Sequence, residues 1–219
     1  MKVLIACEYS GIVRDAFITR GHDAMSCDVL PTESPGPHYQ GDVMDIINNG
    51  WDMLIGFPPC TYIAIPGLHY LKTQPGRKKL HGLAVDFFIS MYDSGIGKIA
   101  IENPIGWLNT NWKKSTQIIQ PYYFGNPELK TTCLWLKSLP LLQYKLEDDL
   151  FGTKTATDRP SPNGYVIRKS GPNKGQRYNY YFRQGKNAKD RAKTFKGIAN
   201  AMADQWGIIV LHLTIVNIF

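Results

Sequence analysis

Cysteine is scarce in this chain and nowhere close-set. Cys7, Cys27, Cys60 and Cys133 lie far apart, with no C-x-x-C among them. That spacing supports neither a zinc site nor a disulfide framework. Free thiols suit a reducing, intracellular compartment, with the cytoplasm as the expected setting. No apolar run is long enough to span a bilayer: the tail from Gly207 to Phe219 falls short, and is expected to form a last strand or a core helix. Met1 runs directly into an apolar strand, so no signal peptide is expected. Internal repeats are lacking. Acidic residues are nearly missing from one region. Between Thr153 and Lys196, twelve Lys or Arg face only Asp158 and Asp190, which leaves +10 there and −3 elsewhere, within a net +7. A local excess of this size fits contact with a polyanion, although a solvated basic loop has the same composition.

What is present is enough to bury a core. A chain of 219 residues supports one domain with a small appended lobe. Lys2–Cys7 reads as a buried parallel strand. Ile12, Val13, Ala16 and Phe17 recur at helical spacing, with Gly21 as the stop. His22–Cys27 predicts a second strand ending at Asp28, and Asp52–Phe57 a third, broken by Pro58-Pro59. Leu80, Leu83, Ala84, Phe87, Phe88 and Met91 predict one face of a helix over Lys79–Ser94. Further strands are expected at Lys98–Ile101 and Thr132–Leu136. From Ser138 to about Lys189 periodicity fades. A closing helix is expected from about Asp190, its face marked by Ala192, Phe195, Ile198, Ala199, Met202 and Trp206. Strands alternating with helices imply an α/β fold with a doubly wound, mostly parallel sheet. Residues 1–137 plus 190–219 form its main domain, and 138–189 a small basic insertion.

In such folds ligands bind at the carboxyl ends of the strands. Five unusual features fall there: the turn Glu8–Gly11, Asp28, Asp42, Pro58–Cys60 and Glu102–Pro104. Two prolines fix the backbone before Cys60 and present its thiol as a nucleophile. A buried, inert cysteine after an irregular turn is the plainer reading. Glu102, beside Asn103-Pro104, can hydrogen-bond a base edge or donate a proton, or can simply cap a loop.

Pro58-Pro59-Cys60 and Glu102-Asn103-Pro104 resemble, in order and rough spacing, the two catalytic motifs of the cytosine-C5 DNA methyltransferases. Lys2–Phe17 resembles that family's cofactor-binding strand, turn and helix, and Lys196–Trp206 its closing helix. The resemblance extends to the short methyltransferase-like proteins of bacteriophages. It implies a Rossmann-like fold that binds S-adenosyl-L-methionine through Glu8, Ser10, Gly11, Asp28, Asp42 and Pro58, with no metal. It also implies catalysis by Cys60 and Glu102, with Pro59, Asn103, Pro104 and Lys130 at the substrate. DNA is the expected partner, reached also by Arg168, Lys169, Arg177 and Arg183 of the insertion, where cations alternate with Tyr165, Tyr178, Tyr180, Tyr181 and Phe182. The stretch Ser161–Gln176 is expected to order only on binding.

Three departures from the family stand out. The turn Cys7–Gly11 has a single glycine. Lys130 and Thr132 stand where the family has arginines, and Glu128 replaces its glutamine. The insertion is short for a target-recognition domain. Two alternatives stay open: the same chemistry on RNA or a free pyrimidine nucleotide, and a catalytically silent DNA-binding protein on this fold.

Overall fold

The computed structural model describes residues 1–148, 150, 152–162, 164–167, 169, 174–180 and 192–207. The chain divides into two compact units. One holds Met1–Ile119, Thr131–Gln143 and the segment from Thr194 onward; the other holds Gln120–Lys130 and Tyr144–Lys193.

The first unit is built on a seven-stranded sheet. Its strands, in chain order, are β1 (Lys2–Ala6), β2 (Asp23–Asp28), β3 (His38–Gln40), β4 (Met53–Gly56), β5 (Lys98–Asn103), β6 (Gln117–Ile119) and β7 (Thr132–Lys137). Their spatial order is β3-β2-β1-β4-β5-β7-β6. The first five run parallel, and β7 lies antiparallel between β5 and β6. Met53–Gly56 and all of β1 after Lys2 are buried, as a strand covered on both faces must be. From β1 the chain winds outward through β2 to β3, then crosses back to start β4 on the other side of β1. That reversal creates a crevice beyond the carboxyl ends of β1 and β4.

Alternate side chains of each strand serve opposite faces. Leu4, Leu54, Ile99, Ile101 and Trp135 share one core with Phe88 and Met91 of α3 (Arg77–Tyr92). Phe88 meets the rings of Trp135 and Trp112 edge-on, with centroids 5.1 and 5.6 Å apart, a favoured aromatic geometry. Elsewhere α1 (Ile12–Thr19) is tied to the last helix, Lys196–Gly207, by the Arg20–Asp204 ion pair. Short helices α2 (Ile65–Leu68) and α4 (Trp107–Asn111) sit in loops, so the closing helix is α5.

Several expectations need correction. Helix α3 starts at Arg77 rather than Lys79, and its buried face is Val85, Phe88, Met91 and Tyr92. Leu80 and Leu83 are 42% and 55% exposed. The first turns of α3 engage the loop after Cys60: Arg77 Nη2 donates to Thr61 O and His81 Nδ1 to Tyr62 O. Strands β3 and β6 were not foreseen, because three polar or mixed residues carry no readable alternation. Within the closing segment, α5 begins at Lys196, with Ala192 and Phe195 before it. The tail expectation beyond Gly207 lies outside the described residues.

The second unit has a small aromatic centre of its own. Tyr123 stacks on Tyr144, with centroids 4.1 Å apart and planes at 4°. Phe124 meets Tyr144 edge-on, and Thr157 N donates to Tyr122 O. Residues 120–130 thus join the insertion, which therefore is not one continuous stretch of chain. A hairpin of β8 (Gly164–Ile167) and β9 (Arg177–Tyr180) spans part of the segment expected to order only on binding.

Among the described residues, no helix is long and apolar enough to cross a membrane. No group of three His, Cys, Asp or Glu among them could hold a metal ion.

Candidate active site

The carboxyl ends of β1 to β5 gather most of the residues singled out above. At the end of β1 the backbone of Cys7 turns left-handed, with φ 57°. Glu8 follows and is buried. Its carboxylate accepts from Val13 N (2.8 Å), Arg14 N (3.4 Å) and Ser10 Oγ (3.0 Å). Free N–H groups and a positive dipole end make a helix start a natural seat for a carboxylate. Burial nevertheless pushes the Glu8 pKa up, against the lowering effect of these donors. Glu8 and Ser10 therefore shape the turn, and Gly11 completes it at φ 76°.

Asp28 ends β2, half-exposed, and its Oδ1 accepts from Leu30 N at 2.9 Å. Asp42 follows β3, exposed, and accepts from Met44 N at 3.0 Å. Both carboxylates hold turns and remain at the surface. Their field is felt by two thiols. Burial first, and then Asp28, Cys27 and Asp42, push the Cys7 thiol far up. Burial, Asp28, Asp42 and Asp45 push the Cys27 thiol up to about 12. Cys133, in β7, is also raised, chiefly by burial. Three of the four thiols are therefore poor sources of thiolate.

Cys60 sits in another environment. It is half-exposed, beyond the end of β4, after buried Pro58 and exposed Pro59. A tight turn follows, with Ala64 N donating to Cys60 O at 2.9 Å. Glu102 and Asn103 close the neighbouring strand β5, whose register sets Ile101 beside Gly56. Glu102 is half-buried, with Oε1 enclosed. Asn103 is 1% exposed, and its Nδ2 donates to Pro58 O at 2.9 Å. This bond joins the two motifs directly. Beyond it the two loops zip together: Trp107 N donates to Ile63 O (2.8 Å), and Ala64 bridges to Gly106. A Cβ on Gly106 would lie 2.2 Å from Ile63 O, so only glycine permits this approach.

The loop after Cys60 and the first turn of α3 carry a basic patch that the net charge does not reveal. No acidic residue occurs between Asp52 and Asp86, while Lys72, Arg77, Lys78 and Lys79 do. Arg77 is committed to the loop, lying over the Tyr62 and Tyr70 rings at 5.0 and 5.1 Å. Lys72, Lys78 and Lys79 are exposed. Charge summed over everything outside residues 153–196 hides this patch behind acidic residues elsewhere; only a charge count taken segment by segment brings it out.

Lys130, Lys169 and Arg177 belong to the second unit. Arg177 lies over the exposed Tyr165 ring, 3.6 Å from its centroid. Arg168 and Arg183 lie outside the described residues. No protein-family model matches the chain, and no curated protein matches it either.

Proposed function

We propose that this protein is an S-adenosylmethionine-dependent methyltransferase that methylates C5 of cytosine in DNA through a covalent Cys60 adduct. The observation that carries this reading is the Asn103–Pro58 hydrogen bond. It holds Pro58-Pro59-Cys60 and Glu102-Asn103-Pro104 together at adjacent strand ends, beside the crevice where the strand order reverses.

The strand-end residues fit a nucleoside cofactor. Asp28 is set to accept from ribose hydroxyls and Asp42 from an adenine amino group, both from surface carboxylates already fixed by backbone N–H groups. When bound, S-adenosylmethionine supplies an electrophilic methyl group on sulfur and leaves as a neutral thioether.

Cytosine C5 is a poor nucleophile by itself. The Cys60 thiolate adds to C6, and the displaced electrons make C5 enamine-like and able to take the methyl group. Glu102 holds or protonates N3, which stabilises the adduct. A base then removes the C5 proton, the C5–C6 double bond reforms, and Cys60 departs as thiolate. This is nucleophilic catalysis with general acid assistance. In duplex DNA the cytosine must first leave the stack. Lys72, Lys78 and Lys79 supply cations for flanking phosphates on the catalytic unit.

DNA carrying 5-fluorocytosine tests the reading. Fluorine at C5 blocks the last elimination, so a denaturation-resistant adduct is expected with cofactor present and is expected to vanish in Cys60→Ser. The same test distinguishes a second reading, RNA as the substrate, since the exposed Tyr165–Arg177 pair offers stacking surface for an unpaired base of either nucleic acid. Adduct formation on fluorinated RNA but not DNA would select it.

A further inference from the structure

Arg14 is fully buried in α1, and no catalytic step above uses it. All five of its N–H donors are engaged. Nε donates to Asp15 Oδ1 (2.8 Å). Nη1 donates to Ser26 Oγ and Thr32 Oγ1, both at 3.2 Å. Nη2 donates to Ser34 O (3.0 Å) and Pro35 O (3.2 Å). Burying a cation is costly, and an apolar side chain of similar volume would often stabilise a core as well or better. What an apolar side chain cannot do is fix acceptors from a helix, a strand and a loop at once.

Three of these acceptors belong to the loop of residues 29–37, which leaves the sheet at Asp28. Its start is held on both sides. Leu30 N donates to Asp28 Oδ1, and Leu30 O accepts from His38 Nε2 at 3.0 Å. A carbonyl only accepts, so His38 Nε2 carries the hydrogen. In the neutral ring Nδ1 then accepts from Ser26 Oγ at 2.9 Å. Ser26 in turn accepts from Arg14, so one chain of hydrogen bonds runs from Arg14 through Ser26, His38 and Leu30 to Asp28. Farther along the loop, Glu33 N donates to Tyr9 O at 2.8 Å, pinning it on the turn after β1. Gly11 and Gly36 make room for the guanidinium. A Cβ on either would lie 2.5 or 2.8 Å from Arg14 atoms.

We propose that Arg14 is a positioning residue for the nucleoside-binding edge of the sheet. It clamps the 29–37 loop, and so sets where Asp28 and the Glu8–Gly11 turn stand toward the adenosine part of the cofactor. In this chain the clamp does the shaping that a glycine-rich turn does elsewhere. The proposal rests on the methyltransferase reading.

The test compares the full chain with Arg14→Lys and Thr32→Val. Lysine keeps the charge but has three donors and no planar fork. Affinity for S-adenosylmethionine is measured by calorimetry, adduct formation on 5-fluorocytosine DNA at saturating cofactor, and amide exchange across residues 29–37. In Arg14→Lys the dissociation constant is expected to rise about tenfold or more, the worth of one lost hydrogen bond to a charged group. Exchange in the loop should speed up, while the adduct rate at saturation stays unchanged. Thr32→Val, which keeps Arg14 and removes one acceptor, should show a smaller shift in the same direction, and serves if Arg14→Lys does not fold. Unchanged cofactor affinity in a variant whose loop has loosened would overturn the proposal. So would an equal loss of rate at saturating cofactor, which marks a general structural role. An unaltered chain that binds no cofactor at all would instead remove the methyltransferase premise, and the proposal with it.

Discussion

The two sides of the crevice are built in opposite ways. On the β1–β3 side, each candidate carboxylate is capped by a backbone N–H close in sequence, although the loop beyond Asp28 is clamped from a distance by Arg14. Glu8 reaches Val13 five residues on, and Asp28 and Asp42 each reach a backbone N–H two residues on. On the β4–β5 side, the decisive bond joins Asn103 to Pro58 across 45 residues. Local turns form wherever the short sequence permits them, whereas the paired loops exist only when the sheet has brought β4 and β5 side by side. On the proposed function, the cofactor side should therefore tolerate damage to the nucleophile side, and the reverse.

The largest expected effect comes from exchanging damage between the two sides. Cys60→Ser should abolish the 5-fluorocytosine adduct and leave cofactor affinity unchanged. Asp28→Ala should weaken cofactor binding while Cys60 keeps its reactivity toward a small alkylating agent. If either change spoils both properties, the two sides are not separable.

Asn103→Ala should slow adduct formation by up to about a hundredfold, since small misplacements of reacting groups cost that much. It should also cost about 1–3 kcal/mol of stability, because Pro58 O would be left buried without its donor. Denaturant titration and single-turnover rates separate the two effects. Gly106→Ala, which drives a methyl group into Ile63 O, should cost about 1–3 kcal/mol and slow the adduct less than Asn103→Ala does.

Replacing Lys72, Lys78 and Lys79 by alanine should flatten the salt dependence of DNA affinity by roughly 0.9 in log–log slope for each phosphate that these lysines neutralise. Cofactor affinity should not move. An unchanged slope would remove these lysines from the DNA surface.

The smallest effect is a difference among thiols. At pH 8, a thiol raised to about 12, as Cys27 is, has only about one molecule in ten thousand as thiolate. Cys7 and Cys133 are raised in the same direction. Cys60 is half-exposed while Cys27 and Cys133 are buried and Cys7 is raised, so mass spectrometry after brief alkylation should find Cys60 modified first. Labelling of the other three should grow as the pH climbs toward their raised values. Early labelling of Cys7 would break the contrast.

How much of this was legible in advance follows the same division. Parallel strands β1, β4 and β5 declared themselves as short apolar runs ending in turn residues, and β2 as a mixed run ending at Asp28. The two candidate catalytic motifs stood at those ends. The exposed Leu80 and Leu83 misled, because hydrophobic spacing reports a helix but not where the sheet beneath it stops. The aromatic centre of the second unit was hidden, since Tyr123 and Tyr144 meet through a fold-back that no periodicity announces.

By itself, the sequence determined the longer buried strands, which turns carry carboxylates, and that Cys60 follows two prolines. These depend on the chemistry of near neighbours. Tertiary structure alone decided that Asn103 would lock the Cys60 loop, that Cys7 and Cys27 would be held as thiols, and that Arg14 would be buried with every donor engaged. Each of these depends on groups distant in the chain whose meeting has to be brought about by burial of the sheet.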